Sequence, residues 1–484
     1  MTPLGDDVPA VAASAAPGGG AVPDVPVPDG IAAPDGGAVP DGIAAPDGGA
    51  VPDGVAVPDG VAVAGGPRGR VVVGVGGGIA AYKACELVRR LRADSFDVTV
   101  VPTASALKFV GVATWEALSG HPVSGDVFTD VPAVTHVATG QQADLVVVAP
   151  ATADLMARAA TGQADDLLTA TLLVTRAPVL MAPAMHTKMW THPATVANTA
   201  TLRSRGVIVI DPAVGRLTGA DSGPGRLPEP EHIAALADLL HRDPQALRPD
   251  LLGRRIVISA GGTRELLDPV RYLGNRSSGR QGYALALVAA ARGAQVTLVS
   301  ANAALLEPPG VAVVRVTDAR ELETAMVELS AGADAVVMAA AVADFRPSST
   351  ATTKIKKVSG QDPAPLTLVK NPDILARLSQ PGPARAQVVV GFAAETGDGS
   401  ADPTASVLAY AREKLARKGC DLLVVNRVDD GRAFEVDDNA GVILAASDRP
   451  GDWSDVVAEA PIGPKTVLAA AVCDAIAARL GPPG

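Results

Sequence analysis

Residues 70–81 read "RVVVGVGGGIAA", and a similar stretch at 255–264 reads "RIVISAGGTR". Each is a short apolar run that ends in glycines. Continuous Val/Ile runs are typical of strands buried on both faces of a parallel sheet, and glycines permit a tight turn from such a strand into a helix. Because N–H groups at a helix start bind phosphate in α/β folds, the two stretches predict two phosphate-binding turns.

Strand-like and helix-like segments alternate after both turns. The strand-like runs are "DVTVVP", "DLVVVAP", "APVLMAP" and "GVIVID" after the first turn, and "AQVTLVS", "VAVVRV", "DAVVMAAAV", "QVVVGFAAE" and "DLLVVN" after the second. Such alternation predicts parallel sheets with right-handed crossovers. The predicted fold class is therefore α/β, with two Rossmann-like parallel-sheet domains at 70–240 and 253–484, called the first and second half below. A polar, Pro-containing linker is predicted between them at 241–252.

Residues 1–69 form a low-complexity segment. The sequence "PDGIAAPDGGAV" at 28–39 recurs unchanged at 40–51. Turn residues and small apolar residues cannot bury enough surface to offset chain entropy, so a disordered Pro/Asp/Gly-rich tail is predicted over 1–69.

Charge and composition exclude several classes of protein. Of the formal net charge of −11, nine negative charges come from the nine Asp of residues 1–67, so the rest of the chain carries only −2. A nearly neutral folded part argues against nucleic acid as a partner. No apolar run approaches the roughly 20 residues of a membrane span, and no signal peptide is evident. The three cysteines, Cys85, Cys420 and Cys473, lie far apart, which is typical of a reduced, cytoplasmic protein.

The first glycine turn favours a mononucleotide over a dinucleotide. A nicotinamide-binding unit usually carries Asp or Glu at the end of its second strand, to hold the ribose hydroxyls. Here residues 101–105 read "VPTAS". Hydroxyls and backbone amides fit a terminal phosphomonoester better, although an NAD(P)-linked oxidoreductase remains an alternative.

Three cationic segments of the second half point to a nucleoside triphosphate with its metal ion. The stretch 268–282, "DPVRYLGNRSSGRQG", combines an amide, hydroxyls and guanidinium groups in a Gly-rich loop, and "TKIKK" at 353–357 follows later. Lys414 and Lys418 then lie four apart on one helical face. Such donors suit an anionic ligand, and because no "GxxxxGK[ST]" sequence is present the chain is not a P-loop enzyme.

Nine segments carry a specific resemblance to a known family. In chain order they are "GGIAAYKACELVRRL", "PATADLMA", "APAM", "GPGRL", "DPVRYLGNRSSGRQG", "AAVADF", "KIKK", "VKNPDIL" and "GFAAET". From about residue 70 to the C-terminus the chain resembles the bifunctional phosphopantothenoylcysteine decarboxylase/phosphopantothenate–cysteine ligases of coenzyme A biosynthesis. The resemblance implies a cytoplasmic enzyme that ligates L-cysteine to 4'-phosphopantothenate with CTP, through an acyl-cytidylate and with release of CMP and pyrophosphate. It would then decarboxylate 4'-phosphopantothenoylcysteine to 4'-phosphopantetheine with FMN.

For the first half, the resemblance implies an FMN site at a subunit interface. The implied cofactor-binding residues are Gly77, Gly78, Ile79, Thr103, Ser105, Ala151 and Thr152. His136, in "VTHVATG", corresponds to the family's catalytic histidine, which suits a group that exchanges a proton near neutral pH. Taken alone, without the matching context, the sequence favours a surface or packing role for His136. Met185 and His186 correspond to substrate-contacting positions.

Two departures from the family pattern lie in the first half. His186 replaces an asparagine, and its imidazole can still donate one hydrogen bond. Gly219 stands where many relatives carry the cysteine that protonates the enethiolate. Another acid or water then donates the proton, or the chain is a ligase with a silent flavin domain. A metal site at His186 and His192 is disfavoured by the lack of acidic or thiol partners.

For the second half, the resemblance implies a CTP site with Mg²⁺. The implied CTP-binding residues are Met338, Ala339, Ala340, Asp344, Lys354, Pro372, Asp373, Ile374, Leu375, Phe392, Lys414 and Lys418. Asn275 corresponds to the residue that stabilises the acyl-cytidylate, a task that suits a neutral amide donor, and Lys354 also counts as catalytic. The alternative for Asn275 is a cap of the following helix. The family further implies a homo-oligomer in which decarboxylase trimers are joined through ligase dimers.

Overall fold

The computed structural model describes residues 66–124, 135–217, 221–356, 365–395, 403–427, 438–446 and 455–482. Most of the predicted tail, residues 1–65, lies outside this part of the chain. Residues 66–69 are an exception to the predicted disorder, because Arg68 N donates to Ser95 O at 2.9 Å and the Arg68 guanidinium lies 4.8 Å from the Phe96 ring centroid. The folded part therefore begins a few residues before the predicted boundary.

The first half is built on a parallel sheet with strand order β2-β1-β3-β4-β5. Its elements are β1 (Arg70–Val75), α1 (Ala81–Ala93), β2 (Asp97–Pro102), α2 (Val112–Ser119), α3 (Thr135–Gln142), β3 (Leu145–Ala151), α4 (Ala153–Thr161), α5 (Leu167–Val174), β4 (Val179–Pro183), α6 (Thr187–Trp190), α7 (Pro193–Ser204), β5 (Ile208–Val209), β6 (Ala213–Arg216), β7 (Ser222–Arg226) and α8 (Pro230–Arg242). A short 3₁₀ helix spans Ala106–Lys108, and β6 and β7 form a separate antiparallel hairpin.

The second half is built on a larger sheet with strand order β12-β11-β8-β13-β16-β17-β18-β19. Its elements are β8 (Arg255–Gly261), β9 (Arg264–Leu266), β10 (Tyr272–Gly274), α9 (Arg280–Ala291), β11 (Gln295–Ala301), β12 (Val311–Val316), α10 (Ala319–Ser330), β13 (Ala335–Met338), β14 (Phe345–Pro347), β15 (Leu368–Lys370), α11 (Ile374–Leu378), β16 (Val388–Glu395), α12 (Pro403–Lys418), β17 (Leu422–Arg427), β18 (Asp438–Ala445), β19 (Asp455–Pro464) and α13 (Lys465–Leu480).

The predicted α/β class with two parallel-sheet units is confirmed. Each strand-like run quoted above forms a strand, and each central strand is buried because helices cover both faces of its sheet. The second sheet adds one feature that the sequence did not predict. Its strands β17, β18 and β19 pair antiparallel, so the parallel sheet ends in an antiparallel edge.

The segment predicted as a linker is packed into the interior. Ala246, Leu247 and Leu251 are no more than 2% exposed. They belong to one hydrophobic core cluster that also contains Leu236 of α8 and Val472 of α13. Residues from Gly65 onward accordingly form one compact unit.

A buried arginine ties this segment to the second half. The Arg292 side chain is fully buried, and it forms ion pairs with Asp250 at 2.5 Å and with Asp474 of α13 at 2.7 Å. Within the described residues, no helix is long and apolar enough to cross a membrane.

Candidate functional site

The first glycine turn brings three loops of the first half together. A Cβ on Gly77 would lie only 2.2 Å from the Cβ of Ser105, so the missing side chain lets the turn after β1 touch the loop after β2. The neighbouring Gly76 N donates to Pro150 O of β3 at 3.0 Å. Three adjacent strands thus end at one point, where open α/β sheets bind ligands.

A cavity of about 720 Å³ lies at this point. The predicted residues that line it are Gly77, Gly78, Ile79, Thr103, Ser105, Thr152, Met185 and His186. Two predicted residues do not line it. Ala151 is fully buried in β3, and His136 lies half-buried on α3, where its Nδ1 contacts no hydrogen-bonding group of the described residues.

Two threonine hydroxyls of the cavity hold its loops in place. Thr103 Oγ1 accepts a hydrogen bond from Ala106 N at 3.2 Å, and Thr152 Oγ1 accepts from Leu155 N at 3.3 Å and so caps α4. Each oxygen is used as an acceptor, which leaves the O–H of each hydroxyl able to donate to an anion.

Cationic side chains that the sequence reasoning missed also line this cavity. Lys83 Nζ lies 2.8 Å from Glu229 Oε1, and Arg158 is only 15% exposed and forms ion pairs with three carboxylates. These carboxylates belong to Asp154, Asp165 and Asp166. Arg216 and Arg226 of the β6–β7 hairpin line the same cavity. Because Lys83 and Arg158 are paired within the chain, the backbone N–H groups at the start of α1 and the hydroxyls can act as donors to an anion alongside these two arginines. Lys83 lies inside the quoted stretch "GGIAAYKACELVRRL", whereas nothing in the sequence singled out Arg158.

His186 occupies the rim of the cavity with both ring nitrogens engaged. Its Nδ1 accepts from Lys188 N at 3.2 Å, which caps the short helix α6, and its Nε2 lies 2.9 Å from Asp221 Oδ2. Since Nδ1 is an acceptor, the ring proton lies on Nε2 and points to the carboxylate. The other departure, Gly219, lies outside the described residues.

A second, larger cavity of about 1110 Å³ lies in the second half, beside the start of α9. The predicted residues that line it are Asn275, Met338, Ala339, Ala340, Asp344, Pro372, Asp373, Ile374, Leu375, Phe392, Lys414 and Lys418. They come from the loops that follow β10, β13 and β15, from β16 and from α12, so the topology joins segments that lie far apart in sequence.

Lys354 is the predicted residue that the structure does not bring to this cavity. It is exposed, and its neighbour Ile355 is tied to the turn between β9 and β10. Ile355 N donates to Asp268 Oδ2 at 3.1 Å, and Ile355 O accepts from Arg271 Nη2 at 2.9 Å. Hydrogen bonds from the Arg271 side chain hold the pKa of the buried Asp268 carboxyl well below its usual range, so this anchor is charged at neutral pH.

Asn275 is not a helix cap. The residue at the N-cap of α9 is Gly279, and Asn275 Nδ2 donates instead to Val342 O at 2.9 Å. The amide therefore joins the Gly-rich loop to the loop after β13, at the wall of the cavity.

Lys418 is positioned by a carboxylate on the opposite wall. Its Nζ lies 2.5 Å from Asp373 Oδ2, while Asp373 also accepts from Ala376 N and caps α11. Burial raises the pKa of the Asp373 carboxyl, but the hydrogen bonds from Lys418 and Ala376 outweigh it and hold this pKa below its usual range. The Asp373 carboxyl is therefore ionised at neutral pH.

An amide pair that the sequence reasoning missed forms the far wall of the second cavity. Asn439 of β18 donates through Nδ2 to Gln281 Oε1 at 3.0 Å, and Gln281 Nε2 donates to Lys465 O at 3.2 Å. These bonds connect α9, β18 and α13. No glycine turn or charge cluster marks Asn439 in the sequence. Among the described residues, no group of three or more His, Cys, Asp or Glu side chains could hold a metal ion.

Two family models match the chain, one in each half. The model described as "Flavoprotein" matches residues 66–240, and the model described as "DNA/pantothenate metabolism flavoprotein C-terminal domain" matches residues 251–480.

Curated relatives match over most of the chain. Proteins called "Coenzyme A biosynthesis bifunctional protein CoaBC" are 59% identical in Mycobacterium bovis, over 84% of this chain and 96% of the relative, and 57% identical in Mycolicibacterium smegmatis, over 85% and 98%. The protein of that name from Vibrio vulnificus is 40% identical, over 85% and 98%.

Solved structures are similar to single halves. The C-terminal domain of a coenzyme A biosynthesis bifunctional protein CoaBC is 32% identical, with a TM-score of 0.37, and covers 48% of this chain and 98% of that one. The FMN-dependent cysteine decarboxylase SpaF is 35% identical, with a TM-score of 0.30, and covers 32% and 89%.

Proposed function

The chain belongs to the family of coenzyme A biosynthesis bifunctional proteins, and from this premise we propose which reaction takes place in each of its two cavities. It is an enzyme with phosphopantothenate–cysteine ligase and phosphopantothenoylcysteine decarboxylase activities. The observation that supports the division is the presence of two separate cavities, each lined by predicted residues of its own half.

The larger cavity takes CTP, 4'-phosphopantothenate and L-cysteine. A carboxylate oxygen of phosphopantothenate attacks the α-phosphorus of CTP and releases pyrophosphate, and the cysteine amine then attacks the acyl carbon and releases CMP. Met338, Ala339, Ala340 and Asp344 hold the cytidine, whereas Lys414 and Lys418 face the triphosphate. Lys418 enters already oriented by Asp373, so less side-chain freedom is lost when the phosphates bind.

Asn275 stabilises the acyl-cytidylate through its amide. One N–H of its NH₂ group donates to Val342 O and so fixes the amide at the cavity wall, and the second N–H is the donor for the acyl oxygen. Magnesium enters with the nucleotide, as the Mg·CTP complex held by the phosphates, since the described residues offer no three-ligand metal site of their own. Lys354 would reach this cavity only if the 354–356 segment left its anchor on Asp268.

The smaller cavity takes FMN. The close approach of Gly77 to Ser105 lets the cavity form at the turn, and the hydroxyls of Thr103 and Thr152 suit a phosphomonoester. When bound, FMN supplies the two-electron oxidation and reduction at the thiol side of the substrate that lets the carboxylate leave. His186 donates its Nε2–H to that carboxylate, and Met185 lies beside it.

His136 completes the decarboxylase site only from a neighbouring subunit, because it does not line the cavity of its own chain. We therefore retain the homo-oligomer of trimers joined through ligase dimers as part of the proposal. Exposed apolar side chains on β9, β10, β14 and β15 support association of the second halves. They are Leu266, Tyr272, Phe345 and Leu368. A cytoplasmic location is supported by three unpaired cysteines.

Separate assays of the two reactions test the proposal. Purified protein with 4'-phosphopantothenate, cysteine and Mg·CTP should form 4'-phosphopantothenoylcysteine, and the latter supplied without CTP should become 4'-phosphopantetheine, both followed by mass. Ligation without decarboxylation, in protein that retains FMN, would instead identify a ligase with a silent flavin domain. In the ligase assay, Lys418→Ala should lower kcat/KM about tenfold, whereas Arg417→Ala, an exposed cation outside the cavity, should not.

A further inference from the structure

The contact between His186 and Asp221 joins the rim of the flavin cavity to the β6–β7 hairpin. Leu217 N donates to Asp221 O at 2.8 Å, and Met185 N donates to Gly225 O at 3.0 Å. A Cβ on Gly225 would lie 2.2 Å from Met185 O, so β7 runs directly along the segment that carries His186. The Asp221 carboxylate is thus delivered to the ring by a closely fitted backbone.

The ring has one N–H to offer, and in this structure a carboxylate already accepts it. Nδ1 is occupied by Lys188 N, so Nε2 carries the proton and Asp221 Oδ2 lies 2.9 Å from it. The Asp221 side chain is 65% exposed, so it can turn into water without being desolvated elsewhere. The contact is therefore one that a second carboxylate can replace.

We infer that Asp221 accepts the His186 hydrogen bond that the substrate carboxylate would otherwise accept. Asp221 thereby sets how strongly the site prefers carboxylated substrate over decarboxylated product. This inference rests on the proposed decarboxylase function. The substrate carboxylate can accept the Nε2–H of His186 only after Asp221 has left it. The hydrogen bond gained with the substrate is therefore offset by the hydrogen bond lost with Asp221. Product has no carboxylate and displaces nothing.

Departure of CO₂ then restores the resting contact. The C–C bond to the carboxylate breaks, CO₂ leaves, the electron pair of that bond stays on the substrate, and water or another acid adds a proton at that carbon. Asp221 neither gives nor accepts that proton. Its return to Nε2–H means that the imidazole is not left with an unpaired donor in the product complex, which would cost free energy.

A pair of unreactive ligands tests the inference at equilibrium. N-(4'-phosphopantothenoyl)serine carries the carboxylate but no thiol, and its decarboxylated counterpart with an ethanolamine end lacks only the carboxylate. Titration of FMN-loaded wild type and Asp221→Asn, followed by the change in flavin absorbance so that binding at the larger cavity is not counted, gives both dissociation constants. Asn keeps a neutral acceptor but loses the charge, so the serine ligand should bind about two- to fivefold tighter to Asp221→Asn while binding of the ethanolamine ligand stays unchanged.

Three further variants separate competition from general effects. Asp221→Glu, which keeps a carboxylate, should restore the wild-type ratio of the two constants. Asp154→Asn removes an equal charge from a residue that lines the same cavity but pairs with Arg158, and it should not reproduce the shift. In a His186→Ala background, which lacks the N–H, Asp221→Asn should no longer favour the serine ligand.

Several results would overturn the inference. They are an equal shift for both ligands, no shift, weaker binding of the serine ligand, or a shift that persists in His186→Ala. If wild type forms no 4'-phosphopantetheine and binds neither ligand, the proposed decarboxylase function itself fails. Flavin absorbance and ligase activity of each variant verify that it is folded.

Discussion

At the scale of single residues, the first cavity depends on side chains that are absent as much as on those present. Gly77 lets two loops meet at a distance that no Cβ could occupy, while Thr103 and Thr152 fix the same loops through their hydroxyl oxygens. The shape of the cavity follows from these contacts before any ligand binds.

Replacing Gly77 should therefore remove the flavin site. In Gly77→Ala the new methyl group meets the backbone and Cβ of Ser105, which cannot move away as a flexible side-chain end could. We expect purified Gly77→Ala to lose its flavin absorbance while ligase activity persists. Gly111→Ala, at a glycine with no atom within 4 Å of the new Cβ, serves as the control and should keep the wild-type flavin content. A fully flavin-loaded Gly77→Ala would contradict this prediction.

A buried histidine should make stability depend on pH. Burial lowers the pKa of His232 on α8 below its ordinary value, and its Nδ1 has no hydrogen-bonding partner among the described residues. Below about pH 6.5 the His232 imidazole binds a proton in the unfolded chain but not in the folded chain. The contribution of this histidine to stability is therefore fully present above about pH 6.5 and falls as the pH drops below it. His232→Gln, which stays neutral, should reduce the fall in Tm between pH 6.5 and 5.

Sequence reasoning reached many residues of both cavities because short motifs mark them. The glycine turn and the "KNPDIL" loop are local signals, and the structure brings their residues to the cavity walls. Asn439 carries no such signal, since its place at the wall depends on the pairing of β18 with β17. Lys354 shows the reverse case, in which a residue of a lysine-rich motif does not line the cavity because Asp268 and Arg271 bind the backbone of its neighbour Ile355.

At the scale of elements, the parallel strands were predictable from the sequence. The antiparallel edge of the second sheet and the buried junction at residues 241–252 were not. Buried parallel strands read as continuous Val/Ile runs, which identify β8, β11 and β13 directly. The strand β19 lacks such a run, because Glu459 and Pro461 interrupt it, and the short run "VILA" at 442–445 of β18 does not indicate that this strand pairs antiparallel. In 241–252 the polar residues suggested exposure, although Leu247 and Leu251 fill the space beside α13.

The ion pairs around Arg292 should contribute strongly to the stability of the junction, meaning the contact of residues 241–252 with the second half. Arg292→Met removes the fully buried one of the two arginines that share Asp250 and Asp474, since Arg248 also pairs with both, and this loss should lower the free energy of unfolding by about 1–3 kcal/mol. Arg315 and Glu307 form an exposed pair, so Arg315→Ala should change it by less than about 0.5 kcal/mol. Urea unfolding measures both. Equal effects of the two variants would show that the Arg292 ion pairs contribute little to the free energy of unfolding.

At the scale of the whole molecule, a core cluster extends from β1 through α8 to α13. Unfolding of one half would expose the face on which the other half packs. The two halves should accordingly unfold together, although their cavities are separate.

Ligand binding at one cavity should therefore stabilise the other. Mg·CTP at about 100 times its Kd should raise the temperature at which the protein releases its flavin by about 2–4 °C, as measured by flavin fluorescence. Lys418→Ala, with weakened nucleotide binding, should show a smaller rise at the same concentration. A nucleotide-dependent shift in calorimetry without any shift in flavin release would show that the halves unfold independently.

The buried junction also has a consequence for cleavage of the chain. A protease must draw several residues in extended form into its active site, and backbone whose side chains are fixed in a core cannot supply them without local unfolding. Residues 243–252, with Ala246, Leu247 and Leu251 buried, should resist digestion as well as the central strands do. For the same reason, a fragment that starts at residue 243 keeps the apolar cover of α13, and one that starts at 253 leaves that helix partly bare and prone to aggregate.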